Sequence, residues 1–281
     1  MQNKMRPQTL KSLIQCVHSE TGITIPASKH IMLERRITKR IKATGTESYE
    51  GYLRYLSENK AEREYFVDAV TTNETYFFRT PRIWQYFVDD FIPQWHKNNT
   101  DGRSLNIWSG AASTGAEVYS IGICCEEYKS KNPDFNYKIL GTDISNSVLE
   151  KAKEGIYHGR AIRKFQETFP ELFEKHMIPA DHGYSVSPEI RSSINFELHN
   201  LFDTLRCSDL FDIVFLRNVL IYFSREDQEK VIKNMELCLN HPAHFIIGES
   251  ESVSEIAPNF SLIAPLIYVK STNSSNMGLA A

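Results

Sequence analysis

The chain has 281 residues, 41% of them apolar and 24% charged, with a formal net charge of −3. That length buries a core without disulfide or metal staples and suits one large domain or two smaller ones, and the composition excludes a disordered or fibrous chain. No apolar run approaches the ~18 residues of a membrane span, and Met1–Gln15 has no apolar h-region. The five cysteines contain no CxxC pair, so a cytoplasmic, thiol-containing protein is expected, with Cys124 and Cys125 as core packing.

The charge is unevenly divided along the chain. Residues 1–80 hold 13 Lys+Arg against 9 Asp+Glu, and the remaining residues hold 19 against 26. Lys29 to Lys42 has six basic residues opposed only by Glu34. Such a stripe attracts nucleic acid, an anionic membrane surface or an acidic protein. Leu10, Leu13, Ile14 and Val17 recur at helical spacing, as do Leu33, Ile37 and Ile41. Thr44-Gly45 is a helix stop. Further short helices are expected around Tyr49–Leu56 and Tyr65–Val70, followed by a polar connector at Thr71–Thr75. Pro81 suits the first turn of a helix carrying Ile83, Trp84, Phe87, Val88 and Phe91.

From Leu105 strands alternate with helices. Strands are expected at Leu105–Trp108, Lys138–Thr142, Ile194–Leu198, Phe211–Leu216 and Ala243–Gly248. Helices are expected at Glu117–Tyr128, Ser147–Glu154 and Glu226–Leu239. This rhythm implies an α/β fold, a doubly wound parallel sheet with helices on both faces. Lys164 to Ser193 breaks it, and Pro179, Asp181 and Gly183 between short apolar pieces suggest a small β insertion. The small and polar tail Ser271–Ala281 reads as disordered.

Trp108-Ser109-Gly110-Ala111-Ala112-Ser113-Thr114-Gly115-Ala116-Glu117 carries a strand through a loop of small residues into a helix. Small residues let backbone N–H groups approach a ligand at the helix N-terminus. Asp143 ends the next strand, where a carboxylate can accept hydrogen bonds from two ribose hydroxyls. Each feature alone is equally a tight turn or a capping acid; in this order on successive strands they favour a nucleoside cofactor. The residues do not choose between NAD and S-adenosylmethionine, although the missing GxGxxG spacing weakens NAD. Arg217, Asn218 and Tyr222 follow the buried strand Phe211–Leu216. His199-Asn200-Leu201 closes the strand before it, where Asn200 can read an adenine edge and Leu201 pack on its face.

Four motifs in order resemble the CheR family of chemotaxis-receptor glutamate methyltransferases. They are Thr71-Thr72-Asn73-Glu74-Thr75-Tyr76-Phe77-Phe78-Arg79, the Trp108–Glu117 loop, Gly141-Thr142-Asp143-Ile144, and Leu216-Arg217-Asn218-Val219-Leu220-Ile221-Tyr222-Phe223. The likeness extends to Gly248-Glu249-Ser250-Glu251. It implies a Rossmann-like class I methyltransferase sheet (81–281) with a small β-subdomain (about 173–196). An N-terminal all-α substrate-docking domain (1–70) and a linker (71–80) contributing to the cofactor site would precede it. It implies S-adenosylmethionine contacts from Asn73, Thr75, Arg79, Glu117, Asp143, Asn200, Leu201, Arg217 and Asn218, with Arg79 and Tyr222 at the methyl-transfer centre. Ala116-Glu117-Val118 departs from the family's frequent Glu-Glu-Pro, and Glu117 is retained as partner of the methionine ammonium.

The implied substrate is a glutamate carboxylate on the acidic cytoplasmic methylation helices of chemoreceptors. Arg35, Arg36, Lys39 and Arg40 would dock it, fanning out beside the Leu33/Ile37/Ile41 stripe. Reversal of Arg36 and Arg40 is expected to abolish receptor methylation while cofactor affinity is kept. The insertion lacks the family's Gly-x-Gly tether element, so a tether-independent enzyme is expected, without metal, nucleic acid or membrane insertion, and as a monomer. An RNA methyltransferase is the rival reading, opposed by the pI near 6.3 and the confinement of positive charge to one short helix. A non-catalytic cofactor-sensing module is a second rival.

Overall fold

The structure is a computed structural model and describes residues 5–270; the Ser271–Ala281 tail lies outside them. Four helices open the chain: α1 (Pro7–Thr21), α2 (His30–Thr44), α3 (Tyr49–Glu58) and α4 (Lys60–Val70). Pro7 loses nothing at a first turn whose N–H groups are unpaired anyway. Gly22 and Gly45, at φ 71° and 70°, end α1 and α2 in the left-handed conformation. Ser48 and Asn59 accept backbone N–H groups at the starts of α3 and α4. The helical stripes meet in a core of Leu13, Val17, Leu33, Ile37, Tyr52 and Phe66.

After the connector come α5 (Pro81–Tyr86), a wide π turn (Phe87–Phe91) and α6 (Ile92–Asn98). Pro93 supplies no N–H and crowds the carbonyl four residues back, and the widened turn absorbs it. Then follow β1 (Leu105–Gly110), α7 (Ala116–Lys129), β2 (Tyr137–Asp143), α8 (Asn146–Glu154) and β3 (Ile156–Tyr157). Next are α9 (Arg160–Thr168), α10 (Pro170–His176), β4 (Met177–Ala180), β5 (Gly183–Val186), α11 (Pro188–Ser192) and β6 (Ile194–Leu198). The chain continues through β7 (Phe211–Leu216), a 3-10 turn (Leu220–Tyr222), α12 (Arg225–Glu236), β8 (Leu239–Ile246), β9 (Phe260–Ala264) and β10 (Ile267–Lys270).

The main sheet has the order β6-β2-β1-β7-β8-β10-β9, parallel except for β10, which runs antiparallel to both neighbours. Side-chain alternation divides the core between the two faces. Ile107, Ile213 and Phe215 pack with α5 and α7 on one side; Trp108, Val214 and Leu216 pack with α12 on the other. Every residue of β7 is buried, as expected for a central parallel strand.

Several boundaries differ from the sequence reading. Residues 160–176, where the strand–helix rhythm breaks, form two short helices, the first burying Ile162 and Phe165 three residues apart and the second Phe173 and His176. The small sheet, β3-β5-β4, draws on Ile156 to Val186, starting before those helices and earlier than the 173–196 expected. β8 begins at Leu239, and α12 ends at Glu236, because Leu239-Asn240 already pairs in the sheet. The β9–β10 hairpin was not expected; its first strand buries Phe260 but leaves Leu262 and Ile263 exposed on the sheet edge, so it shows no alternation.

Candidate active site

Strand order reverses at β1, which pairs with β2 on one side and β7 on the other. The loops leaving β1 and β7 therefore diverge and open a crevice at the carboxyl ends of the strands. A cleft with an open mouth occupies this position, where open α/β sheets take their ligands. Asn73, Thr75, Arg79, Glu117, Asp143, Asn200, Leu201, Arg217, Asn218 and Tyr222 all line it. Phe78, Thr80, Ala111, Ser113 and Asn218 hold φ between 52° and 66° without being glycine. Ala111, Ser113 and Asn218 line the cleft, and such strain concentrates where surrounding structure over-determines a loop.

Asp143 is buried at the end of β2. Its Oδ2 accepts the Ser113 N–H at 2.8 Å and its Oδ1 the Ser145 N–H at 2.9 Å. Burial pushes this carboxyl above the ordinary aspartate range, opposed by those backbone donors. Across the cleft floor, Arg217 Nη1 meets Glu117 Oε2 at 2.6 Å, with the Arg217 side chain 1% exposed. Glu117 Oε1 also accepts Ser109 Oγ–H at 2.9 Å, and Arg217 Nη2 donates to the Arg79 carbonyl at 3.0 Å. Arg217 Nε is buried with no hydrogen-bond partner among the described residues. Gly110, at the end of β1, is closely packed: a Cβ there would lie 2.9 Å from the Leu216 side chain.

The connector threads over the cleft. Ser113 Oγ donates to the Asn73 carbonyl at 2.8 Å, and Trp84 Nε1 donates to the Arg79 carbonyl at 2.9 Å. The Arg79 guanidinium sits 5.6 Å from the Tyr76 ring centroid. On the far wall, Asn200 Oδ1 accepts the Phe202 N–H, and Asn234 of α12 donates to the Leu201 and Phe202 carbonyls. Thr21 and Ile23, at the end of α1, complete the lining. No motif marks those two residues; they reach the cleft because Thr24 N–H donates to the Tyr222 carbonyl at 2.8 Å, seating the helical part against it.

The four basic residues of α2 expected to dock the substrate divide into two pairs. Arg35 and Lys39 are exposed. Arg36 instead turns inward, its Nη1 on the Val70 carbonyl and its Nη2 3.1 Å from Thr72 Oγ1. Arg40 forms a two-pronged pair with buried Glu62, at 2.8 and 2.7 Å, and Glu62 also accepts the Tyr52 hydroxyl. The expected fan of four solvent-facing cations is thus corrected to two, because a buried carboxylate and the connector claim the others. Reversing Arg36 and Arg40 would disturb the helical core and the connector before it tested docking.

Residues 73–268 match the model of the CheR methyltransferase SAM-binding domain, and residues 8–71 match the CheR methyltransferase all-alpha domain. This chain belongs to the CheR methyltransferase family. The chemotaxis protein methyltransferase of Borreliella burgdorferi is 29% identical over 93% of each chain. That of Vibrio parahaemolyticus is 31% identical over 91% of this chain and 93% of its own. Chemotaxis protein methyltransferase 1 of Pseudomonas aeruginosa is 31% identical over 86% of this chain and 89% of its own. The CheR chain described here is accordingly a SAM-binding methyltransferase with a class I sheet and an all-α N-terminal part, and no helix among its described residues is long and apolar enough to cross a membrane. The cleft suits the cofactor: it has a buried carboxylate at the end of β2, an ion pair facing both signs of charge, and an unpartnered Arg217 Nε.

Proposed function

We propose that this CheR protein methylates glutamate side-chain carboxylates on acidic methylation helices of chemoreceptors. The observation that supports it best is the junction of two surfaces. Tyr222 lines the cofactor cleft and holds the α1 end through its carbonyl, while α2 turns exposed Arg35 and Lys39 to solvent from the same helical part. Ile31, Met32 and Ile221 are exposed on α2 and beside Tyr222. Apolar side chains flanked by cations suit an amphipathic acidic helix.

In this reading Asp143 accepts the ribose hydroxyls, and Asn200 and Leu201 take the adenine edge and face. Asn73 and Thr75 flank the nucleoside, and Glu117 receives the methionine ammonium. Arg217, Asn218 and Arg79 bind the remaining polar groups. The bound cofactor supplies a sulfonium methyl that is already electrophilic. A glutamate with a pKa of about 4.3 is ionised at neutral pH, so no residue has to remove a proton. Arg79 and Tyr222 hold the carboxylate oxygen in line with the methyl, and such alignment is worth several kcal/mol.

Pro179 lies in β4, an outer strand of the small sheet, where it leaves no N–H for an added strand; this favours tether-independent action. The deciding experiment uses labelled methyl donor with the cytoplasmic fragment of a chemoreceptor, with RNA, and with neither. Label appearing on the receptor and released as methanol by mild base is expected. Label on RNA, or base-stable label, would overturn the proposal.

A further inference from the structure

Glu251 lies in the turn after β8 and does not line the cleft, yet its carboxylate is saturated by the backbone of the segment that does. Oε2 accepts the N–H of Asn218 at 2.9 Å and that of Gly248; Oε1 accepts the N–H groups of Val219 and Leu220, each at 2.9 Å. Three of these four donors are consecutive residues between the end of β7 and the 3-10 turn that ends at Tyr222. That stretch belongs to no strand, so without Glu251 its N–H groups would lose their acceptor in a half-buried setting.

Asn218 is held at φ 59°, a conformation few non-glycine residues adopt. The β8 end is pressed against it. A Cβ on Gly248 would fall 2.6 Å from Asn218 Nδ2, 2.7 Å from Glu251 Oε2 and 2.8 Å from Asn218 N. The downstream end of the segment is tied separately, by Gln228 Nε2 to the Leu220 carbonyl at 2.9 Å and by Thr24 N–H to the Tyr222 carbonyl.

We propose that Glu251 is a positioning residue for methyl transfer, an acceptor-only clamp that fixes the strained Asn218 turn and so sets both Asn218 and Tyr222 against the cofactor. A carboxylate suits this role because four N–H groups converge on it, and it alone among side chains of this length offers two oxygens and no donor. A glutamine of the same shape would turn an NH2 toward two of those N–H groups. The inference rests on the roles assigned above to Asn218 and Tyr222.

The test compares wild type, Glu251→Gln, Tyr222→Phe, Asn218→Ala and the double variants. S-adenosylhomocysteine affinity is measured by calorimetry, and kcat and KM are measured on the receptor fragment. Glu251→Gln is expected to weaken S-adenosylhomocysteine at least fivefold and lower kcat at least tenfold. Adding Tyr222→Phe to it should then cost less than twofold in kcat, and adding Asn218→Ala less than twofold in affinity. Gly248→Ala crowds both the Asn218 turn and Glu251 Oε2 while leaving the carboxylate's chemistry intact, and decides the matter by the same readouts if Glu251→Gln does not fold. A lowered Tm with unchanged affinity and turnover, or full additivity in the double variants, would overturn the proposal. Wild-type protein that binds S-adenosylhomocysteine but leaves receptor unmethylated would instead refute the substrate reading, while the affinity series would still judge the clamp.

Discussion

Glu117 and Arg217 are 100 residues apart in sequence and 2.6 Å apart in the cleft floor. The Arg217 side chain is almost wholly out of water, so its buried charge is compensated by that partner. Glu117→Gln should therefore destabilise the fold by about 3 kcal/mol, the cost of leaving one member of a buried pair alone, and weaken S-adenosylmethionine as well. Urea denaturation and calorimetry would read the two effects. Tyr222→Phe removes one hydroxyl and leaves the ring. It should lower kcat roughly tenfold, the worth of one hydrogen bond to a charged group, with little change in cofactor affinity, and unchanged turnover would remove Tyr222 from the mechanism. At this scale the sequence was informative where motif and strand end coincide: Asp143 closes β2, Asn200 follows the edge strand β6, and Arg217 follows the wholly buried β7. It was silent on Thr21 and Ile23, whose place in the cleft depends on how a distant helix is seated.

The second helix shows how one element divides its charges. Its apolar side, Leu33 and Ile37, is fully buried, and helical periodicity alone finds it. Which cations remain for a partner is decided by α4, because Glu62 lies on α4 and claims Arg40. Arg35→Glu with Lys39→Glu should raise the receptor KM roughly tenfold and flatten its salt dependence, while S-adenosylhomocysteine affinity stays constant. Arg40→Glu should behave differently, lowering Tm through a like charge placed against buried Glu62. A steady-state salt series beside a melting curve separates the two. The hairpin β9–β10 escaped the sequence reading for the converse reason. An edge strand with exposed Leu262 and Ile263 has no alternation to detect, and only pairing with β10 makes it a strand.

In the whole molecule the helical part and the sheet part are joined by few but specific contacts. Ser145 Oγ donates to Asp68 at 2.6 Å, and His18 meets Asp227 of α12 at 2.9 Å. Gly22 fits against the Phe202 ring so closely that a Cβ would fall 1.9 Å from it. His244, on β8 beside Tyr86 and Phe91, carries the clearest pH signature. Burial pushes its imidazole down to about 4. An unfolded chain titrates this group near 6.5, so between those values the unfolded state binds the extra proton. Stability should then fall as the pH drops from about 6.5 to about 4, at about 1.4 kcal/mol per pH unit from this residue. His244→Phe should flatten that part of the profile in urea titrations at stepped pH. An unchanged slope would mean that His244 is protonated within the fold.

Strand and helix alternation, the order of the motifs and ten of the residues that line the cleft were legible in the chain itself. Local periodicity shows which residues face a core, and strand ends in a parallel sheet point to one edge. Only the tertiary structure decided which of those residues are free to meet a ligand. It brought α1 to the cleft, took Arg36 and Arg40 from the surface, and set the Glu251 carboxylate behind the Asn218 turn. Each of those outcomes is a long-range pairing of polar groups, which leaves no periodic trace in sequence because it depends on where two distant backbones come to lie.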